Sequence, residues 1–385
     1  MVMLSADFRL PPYGGIAAHL AGLCPALARQ GLRVTLVVPG YGRGEERSEF
    51  EGVEVIRLRR WRRPRFLRYF GRLVSLRKAL EGLLGELEPD LLHVHDLLVS
   101  PPLARGFRRR FPVVFTNHTS VYVRWSESAW RRPLLRLLVG RPDGIIAVSP
   151  VLEERSRAHR PVCLELIPSG VDTDRFQPSQ PDPGLLGSLG LAADDPVVLY
   201  VGRLAPVKGL PHLVAAIGRI RAAVPGVRLL IAGGGSEAET EALTRVVAEA
   251  GLEEEVNLLG PVPHELLPRY YALASVVALP SLMEATSIAG LEAMACGAPL
   301  VGTRVGGLPI IVDEGVTGLL VPPGDATSLA GALERILLDD DLRRRMGGEA
   351  RRRAERRFSW NGIAERTAEF YRSVLRARRG EGGAG

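Results

Sequence analysis

The segment Glu284–Gly297 holds two carboxylates, Glu284 and Glu292, with seven residues between them in a run of small and apolar neighbours. Thr286 or Ser287 reads as an N-cap and Gly297 as the residue just past a helix end, so a helix opens after Glu284 and carries Glu292 within it. A helix start offers unpaired N–H groups and the positive end of a dipole, a seat for phosphate or for sugar hydroxyls. Carboxylates beside it can accept hydrogen bonds from hydroxyls. Both acids would also suit an ordinary solvated surface, but Leu291, Ala293, Met294 and Ala295 make that an odd setting for Glu292. Upstream, Gly202-Arg203-Leu204-Ala205-Pro206-Val207-Lys208-Gly209 sets two cations five residues apart on a loop after an apolar strand. A planar guanidinium and a mobile ammonium suit a diphosphate. Two solvated loop cations would look the same in isolation.

Other candidates are weaker. His93, His95 and Asp96 invite a metal reading, and His93 and His95 share one face of a strand. A metal needs a further ligand from elsewhere in the chain, and no spacing announces one. His95 is read instead as a cleft-lining residue on the acceptor side, and His93 as packed in the core or at an edge. Asp172-Thr173-Asp174 sits in a connector, and Asp339-Asp340-Asp341 reads as a helix start, so both are taken as structural. No metal site is expected. Gly233-Gly234-Gly235 does not match the dinucleotide fingerprint, and nothing supports NAD. Cys24, Cys163 and Cys296 are far apart and form no cluster, which favours a reducing compartment.

These residues must be held by strands and helices, and the sequence alternates the two almost throughout. Strands are expected at Met1–Ser5, Arg33–Val38, Val53–Leu58, Leu91–Val94, Val113–Thr116, Ile145–Val148 and Cys163–Ile167. A second set is expected at Val197–Val201, Val227–Ala232, Val256–Leu259, Val276–Leu279, Leu300–Gly302 and Leu319–Val321. Helical periods at Gly15–Arg29, Leu210–Ala223 and Glu237–Ala250 intervene. The alternation predicts an α/β fold with parallel sheets covered on both faces. The pattern breaks at Pro168–Pro196, so two Rossmann-like domains are expected: residues 1–170 and 171–358. A last helix at 359–378 would cross back to the first, and 379–385 would be a disordered tail. Ligands of such sheets bind beyond the carboxyl ends of the strands, and with two sheets the natural site is a cleft between two sets of strand ends. At 385 residues with 46% apolar and 24% charged composition, the chain can bury two such cores. The start has no basic segment before an apolar one, and no run approaches a membrane span, so a cytoplasmic protein is expected.

The segment Pro280–Gly297 resembles the two-glutamate signature of glycosyltransferase family 4, the retaining GT-B enzymes also grouped as glycosyl transferases group 1. Similar elements recur along nearly the whole chain: Tyr13-Gly14-Gly15 followed by His19, Thr116-Asn117-His118, Val148-Ser149, Ile167-Pro168-Ser169-Gly170-Val171-Asp172, Gly202-Arg203 with Lys208-Gly209, and Phe358-Ser359-Trp360. The resemblance implies a GT-B fold and transfer of a hexosyl group from a nucleoside-diphosphate sugar to an acceptor hydroxyl, with retention and without a metal cofactor. It implies that Arg203 and Lys208, on the loop opened by Gly202, hold the donor diphosphate. Glu292 would bind the ribose, and Glu284 a hydroxyl of the transferred sugar. The N–H groups around Thr286, Ser287 and Ile288 would meet sugar or phosphate, and the backbone near Gly260 and Val262 the base. Gly14 and Gly15 would close over the diphosphate, with His118 approaching the sugar and Tyr13 and His95 on the acceptor side. By the same resemblance the catalytic set is His118, Glu284, Arg203 and Lys208. Two departures stand out: Ala285-Thr286-Ser287 replaces the family's common Gly-Phe-Gly, and Ser169 stands where Asn is usual.

Arg57–Lys78 contains ten basic residues and no acid, interleaved with Trp61, Phe66, Tyr69 and Phe70. With a net charge of +7, this suits an anionic membrane surface, hence a peripheral protein on its inner face and a lipid-linked acceptor or cell-surface glycan precursor. A solvated arginine-rich helix face is the plainer alternative. No nucleic-acid module is present, so no nucleic-acid partner is expected. Two rival functions remain at this point: a nucleotide-sugar epimerase on the same fold, and a non-catalytic basic protein that binds membrane or nucleic acid.

Overall fold

The structure, a computed structural model, describes residues 1–6, 8, 14–39, 45–58, 68–97, 104, 106–118 and 120–380, and of 68–76 and 120–121 the backbone alone. Tyr13, the side chains of 59–76 in the basic stripe, and residues 381–385 of the tail lie outside the described residues, as do the expectations placed on them.

The chain forms two compact units, Met1–Ser169 with Trp360–Gly385, and Gly170–Ser359. In the first, β1 (Val2–Leu4), β2 (Thr35–Pro39), β3 (Glu46–Phe50), β4 (Val53–Leu58), β5 (Leu92–Val94), β6 (Val113–Asn117), β7 (Gly144–Ala147) and β8 (Cys163–Leu166) make one sheet in the order β3-β4-β2-β1-β5-β6-β7-β8. In the second, β9 (Val197–Val201), β10 (Arg228–Ala232), β11 (Val256–Gly260), β12 (Val276–Leu279), β13 (Leu300–Thr303) and β14 (Gly318–Val321) run in the order β11-β10-β9-β12-β13-β14. Every described pair is parallel except β3 with β4. The strand order reverses direction between β1 and β5 in one sheet and between β9 and β12 in the other. Such reversals open a crevice at the carboxyl ends of the strands.

Burial on both faces explains why these strands read as continuous apolar runs. Along β9, β10 and β12, successive side chains enter opposite cores. Val198, Leu229, Ile231, Val276 and Ala278 pack in one, and Val197, Leu199, Leu230, Val277 and Leu279 in the other. Each fully buried residue of this size contributes about 1.5–3 kcal/mol. The last helix, Trp360–Arg379, supplies Ile363, Phe370, Tyr371 and Val374 to the core that also holds Met3, Leu20 and Leu36, so it is part of the first unit. Arg378 completes its attachment through an ion pair with Asp143 at 3.2 Å.

One strand, β3, has no counterpart among the expected ones. Its sequence, Glu-Arg-Ser-Glu-Phe, is exposed and charged because it is an edge strand, paired antiparallel to β4 on one side only. Glu51 and Gly52 turn the hairpin with φ of 46° and 79°, the two left-handed residues a tight two-residue turn requires. The leading aspartate of each run is engaged by backbone, and Asp340 and Asp341 pair with Arg343 and Arg344. Asp172 accepts the N–H groups of Asp174 and Arg175, each at 3.1 Å, and Asp339 caps a helix by accepting from Leu342 at 2.8 Å. Among the described residues no helix is long and apolar enough to cross a membrane.

Candidate functional site

In the second unit the candidates gather where β9 and β12 end side by side. β9 runs into Gly202-Arg203, and a short turn at Pro206–Lys208 follows. β12 runs into Pro280–Ser287 and then the helix Ile288–Ala295. The two loops are laced together: Leu282 donates its N–H to the Val207 carbonyl at 2.8 Å, and Gly209 passes so close that a Cβ there would lie 2.1 Å from the Pro280 oxygen. Gly209 also has φ of 69°, so glycine is required at the position that aims Lys208. Lys208 Nζ donates to Glu284 Oε2 at 2.5 Å, with side chains only 19% and 11% exposed. Ser281 Oγ donates to the same oxygen at 3.1 Å. Arg203 is exposed, and its carbonyl is fixed by the Tyr200 hydroxyl at 2.7 Å.

The helix start is built as its sequence suggests. Ser287 is the N-cap and accepts from the Gly290 N–H at 3.1 Å, while Thr286 Oγ1 is buried without a partner among the described residues. A second loop braces this turn from behind. A Cβ at Gly306, whose φ is 55°, would sit 1.5 Å from the Glu284 carbonyl oxygen. Further along the helix, Glu292 is 3% exposed and both its oxygens are engaged, Oε1 with His264 Nε2 at 2.6 Å and Oε2 with the Tyr271 hydroxyl at 2.9 Å. Burial, then the neighbouring Glu292 charge, pushes the Tyr271 hydroxyl well above its ordinary pKa and keeps it a donor. His264 lies just past Gly260 and Val262, so the segment after β11 is tied to Glu292 through one imidazole. Gly260 itself adopts φ of 68° and accepts the Gly233 N–H at 2.8 Å.

In the first unit the candidates gather at the ends of β1, β5 and β6. Gly14 opens the helix Gly15–Arg29 with φ of 92°, and among the described residues no atom lies within 4 Å of where a Cβ on Gly14 or Gly15 would sit. His118 follows β6 and is half-buried, with its Nε2 3.1 Å from His95 Nδ1. His19 lies on the opening helix, its Nδ1 3.0 Å from Ser169 Oγ. The His19 and His118 rings meet edge to face with centroids 4.4 Å apart. Burial lowers the pKa of His19 to about 3 and takes those of His95 and His118 well below the ordinary histidine range, so these imidazoles are neutral. His93 is separate from them in bonding. Its Nδ1 meets the Tyr371 hydroxyl and its Nε2 meets Thr116 Oγ1, each at 2.6 Å.

A family model described as Glycosyl transferases group 1 matches residues 186–353, and one described as Glycosyltransferase Family 4 matches residues 13–175. The D-inositol 3-phosphate glycosyltransferase of Saccharomonospora viridis is 33% identical over 311 residues, 76% of this chain and 72% of that protein. The chain belongs to glycosyltransferase family 4. A second member, the GDP-mannose-dependent alpha-(1-6)-phosphatidylinositol monomannoside mannosyltransferase of Mycolicibacterium smegmatis, is 32% identical over 395 residues, covering 98% of this chain and all of that one. Among solved structures, a sucrose-phosphate synthase from Thermosynechococcus elongatus matches with a TM-score of 0.82 at 29% identity, over 98% and 99% of the two chains. The two parallel-sheet units of this glycosyltransferase are those of the GT-B class.

Within the glycosyltransferase, the fold brings Lys208, Glu284, Thr286, Ser287 and Ile288 into one turn-and-helix assembly, with Arg203 on the loop beside it. His95 corrects its expectation. It is 0% exposed and in contact with His118, because it follows β5 in the middle of the sheet, so it does not line an open surface. Glu284 and Lys208 were assigned to different parts of a ligand, whereas the structure pairs them with each other. His264, Tyr271, Gly306 and Ser281 were missed. Only Gly306, in a Gly-Gly-Leu-Pro stretch just after a strand, carried a local signal. The metal reading of His93 and His95 lacked a distant ligand; the fold supplies two, His19 and His118, and leaves His93 out.

Proposed function

We propose that this glycosyltransferase moves a hexosyl group from a nucleoside-diphosphate sugar to an acceptor hydroxyl, with retention of anomeric configuration and without a metal cofactor. The observation that carries the reading is the Lys208–Glu284 pair beside the helix start at Ser287. It sets a cation suited to a leaving diphosphate against a carboxylate suited to sugar hydroxyls, next to free helix N–H groups. Arg203 and Lys208 neutralise the charge that develops on the diphosphate, the part a metal plays in other transferases. Glu284 accepts from a hydroxyl of the transferred sugar, and Glu292, held by His264 and Tyr271, accepts from the ribose. Gly14 and Gly15 offer backbone N–H groups to phosphate, and His118 faces the sugar. Among the described residues no side chain stands out as a nucleophile, and the reading invokes no covalent sugar-enzyme intermediate.

Two relatives act, by their names, on inositol 3-phosphate and on a phosphatidylinositol mannoside, and one takes GDP-mannose. They support a nucleotide-sugar donor and an acceptor that is a phosphorylated polyol or a lipid-linked sugar. A lipid-linked acceptor agrees with the basic stripe Arg57–Lys78 as a contact to an anionic membrane, and with a peripheral protein of the cytoplasmic face.

Thermal unfolding with UDP, GDP, ADP and their sugars, with and without EDTA, tests this. A nucleotide at 100 times its dissociation constant should add about 2.7 kcal/mol of stability. One base should stand out, EDTA should not abolish the effect, and label from that donor should reach an added acceptor. A donor consumed and interconverted without an acceptor would replace transfer with epimerisation. No stabilisation by any nucleotide would overturn the site.

A further inference from the structure

One nitrogen from each of His19, His95 and His118 lies within 4.8 Å of one on each of the other two. His19 Nε2 is buried with no hydrogen-bond partner among the described residues, while its Nδ1 is taken by Ser169. Buried polar atoms are nearly always paired, and an orphan marks a missing water, ion or ligand. We propose that these three imidazoles form an inhibitory site for a transition-metal dication, Zn²⁺ foremost.

The donor set decides the class of ion. Three neutral nitrogens and no carboxylate suit Zn²⁺, Co²⁺, Ni²⁺ or Cu²⁺, and not Mg²⁺ or Ca²⁺, which demand oxygen. Zinc bonds histidine nitrogen at about 2.0–2.1 Å, which puts two ligands of one tetrahedral ion about 3.3 Å apart. His95 Nδ1 and His118 Nε2 already stand 3.1 Å apart, and the three ring centroids are spaced 4.4 to 5.8 Å. On binding, the proton shared between those two rings moves to the far nitrogen of the ring that carries it, so that both facing nitrogens present lone pairs to the ion. Ser169 supplies the outer contact that metal-bound histidines usually have, through its Oγ on His19 Nδ1. His93 takes no part, because Tyr371 and Thr116 occupy both its nitrogens.

The inhibitory consequence alone rests on the proposed transferase reading: a metal on His118 withdraws that imidazole from the sugar. Transfer would then be insensitive to EDTA and to Mg²⁺ yet blocked by Zn²⁺.

The binding arm needs no donor sugar. The full chain, freed of metal with EDTA and dialysed, is titrated with Co²⁺ and followed by visible absorption, then with Zn²⁺ by calorimetry. One ion per chain with the intense absorption of tetrahedral cobalt, displaced by Zn²⁺, is expected. His95→Gln should abolish it. Ser169→Ala, which keeps all three ligands, should weaken binding about 10–100-fold, and His212→Asn, in the other unit, should leave it unchanged. Circular dichroism confirms that each variant is folded. Absence of the cobalt band in the wild-type chain, or its undiminished persistence in His95→Gln, overturns the site. A band that behaves as expected while Zn²⁺ leaves transfer untouched overturns the inhibitory role and, with it, the placing of His118 at the sugar. Failure of the transferase reading itself would show as no transfer with any donor and would leave the cobalt result intact.

Discussion

The two units use the same sheet architecture to build opposite electrostatic settings at their strand ends. In the second unit, between β9 and β12, the polar groups are charged and paired: Lys208 with Glu284, and Glu292 held by His264 and Tyr271. In the first, at the ends of β1, β5 and β6, His19, His95 and His118 form a cluster of imidazoles that burial keeps neutral, with Asp96 next along the chain. The close pair of cation and carboxylate thus belongs to the second unit. The first offers hydrogen-bonding rings and glycine backbone. The same fold rule, ligands beyond the carboxyl ends at a reversal of strand order, leaves the chemistry entirely to the side chains placed there.

The sharpest way to break this comparison is to remove the second unit's charge without changing its shape. Glu284→Gln keeps a partner for Ser281 but loses the carboxylate that balances Lys208 and that we propose accepts from the sugar. Transfer should fall by about 10²–10³, the range for deleting one preorganised polar contact to a reacting group. Affinity for free nucleotide should stay within a few-fold, since Lys208 and Arg203 remain. Steady-state kinetics with nucleotide calorimetry separates the two. An equal loss of both would remove Glu284 from the sugar and make it a support for the diphosphate loop.

Acid should act instead on the first unit. The folded pKa of His19 is about 3 against an ordinary 6.5, and His93 and His95 are lowered in the same direction by burial. Below pH 6.5 the unfolded chain binds protons that these rings refuse, so stability is full above that pH and declines as pH falls toward 3. Each such histidine contributes about 1.4 kcal/mol per pH unit within that window. Hydrogen exchange in EDTA at pH 7 and pH 5.5 should show β5, β6 and the helix Trp360–Arg379 losing protection. The strands of the second unit, which holds no such cluster, should lose less. Equal loss in both units would mean that these histidines do not govern acid stability.

How far the site was legible follows the same division. Helix caps and strand ends are local, so Ser287, Gly297, Glu284 and the loop at Gly202–Gly209 after β9 could be placed from spacing alone. Pairing across the sheet is not local. Nothing in a single sequence ties Lys208 to Glu284, 76 residues later, or His19 to His118 and Ser169. Tyr271 looked like one more apolar helix residue, and His264 stood alone between prolines and leucines. β3 was missed for the opposite reason: an edge strand needs no apolar face, so its charges hid it. Sheet order was legible only as a class, because alternation of strand and helix predicts parallel pairing without saying which strand lies at the centre.

The smallest expected effect tests whether the charged setting depends on its uncharged supports. Tyr271→Phe deletes one hydrogen bond to Glu292 Oε2 and changes no volume of consequence. The carboxylate keeps His264, so the helix Ile288–Ala295 should hold and the melting midpoint should move little. A hydrogen bond to a charged group contributes about 1.5–3 kcal/mol at most when lost outright, and part is recovered if water or a ribose hydroxyl takes its place. If Glu292 holds the ribose as proposed, nucleotide affinity should drop several-fold with kcat unchanged, since a ribose contact is the same before and during transfer. A fall in kcat with affinity intact would mean that Glu292 does more than hold the ribose, and that the division of labour between the two glutamates is drawn in the wrong place.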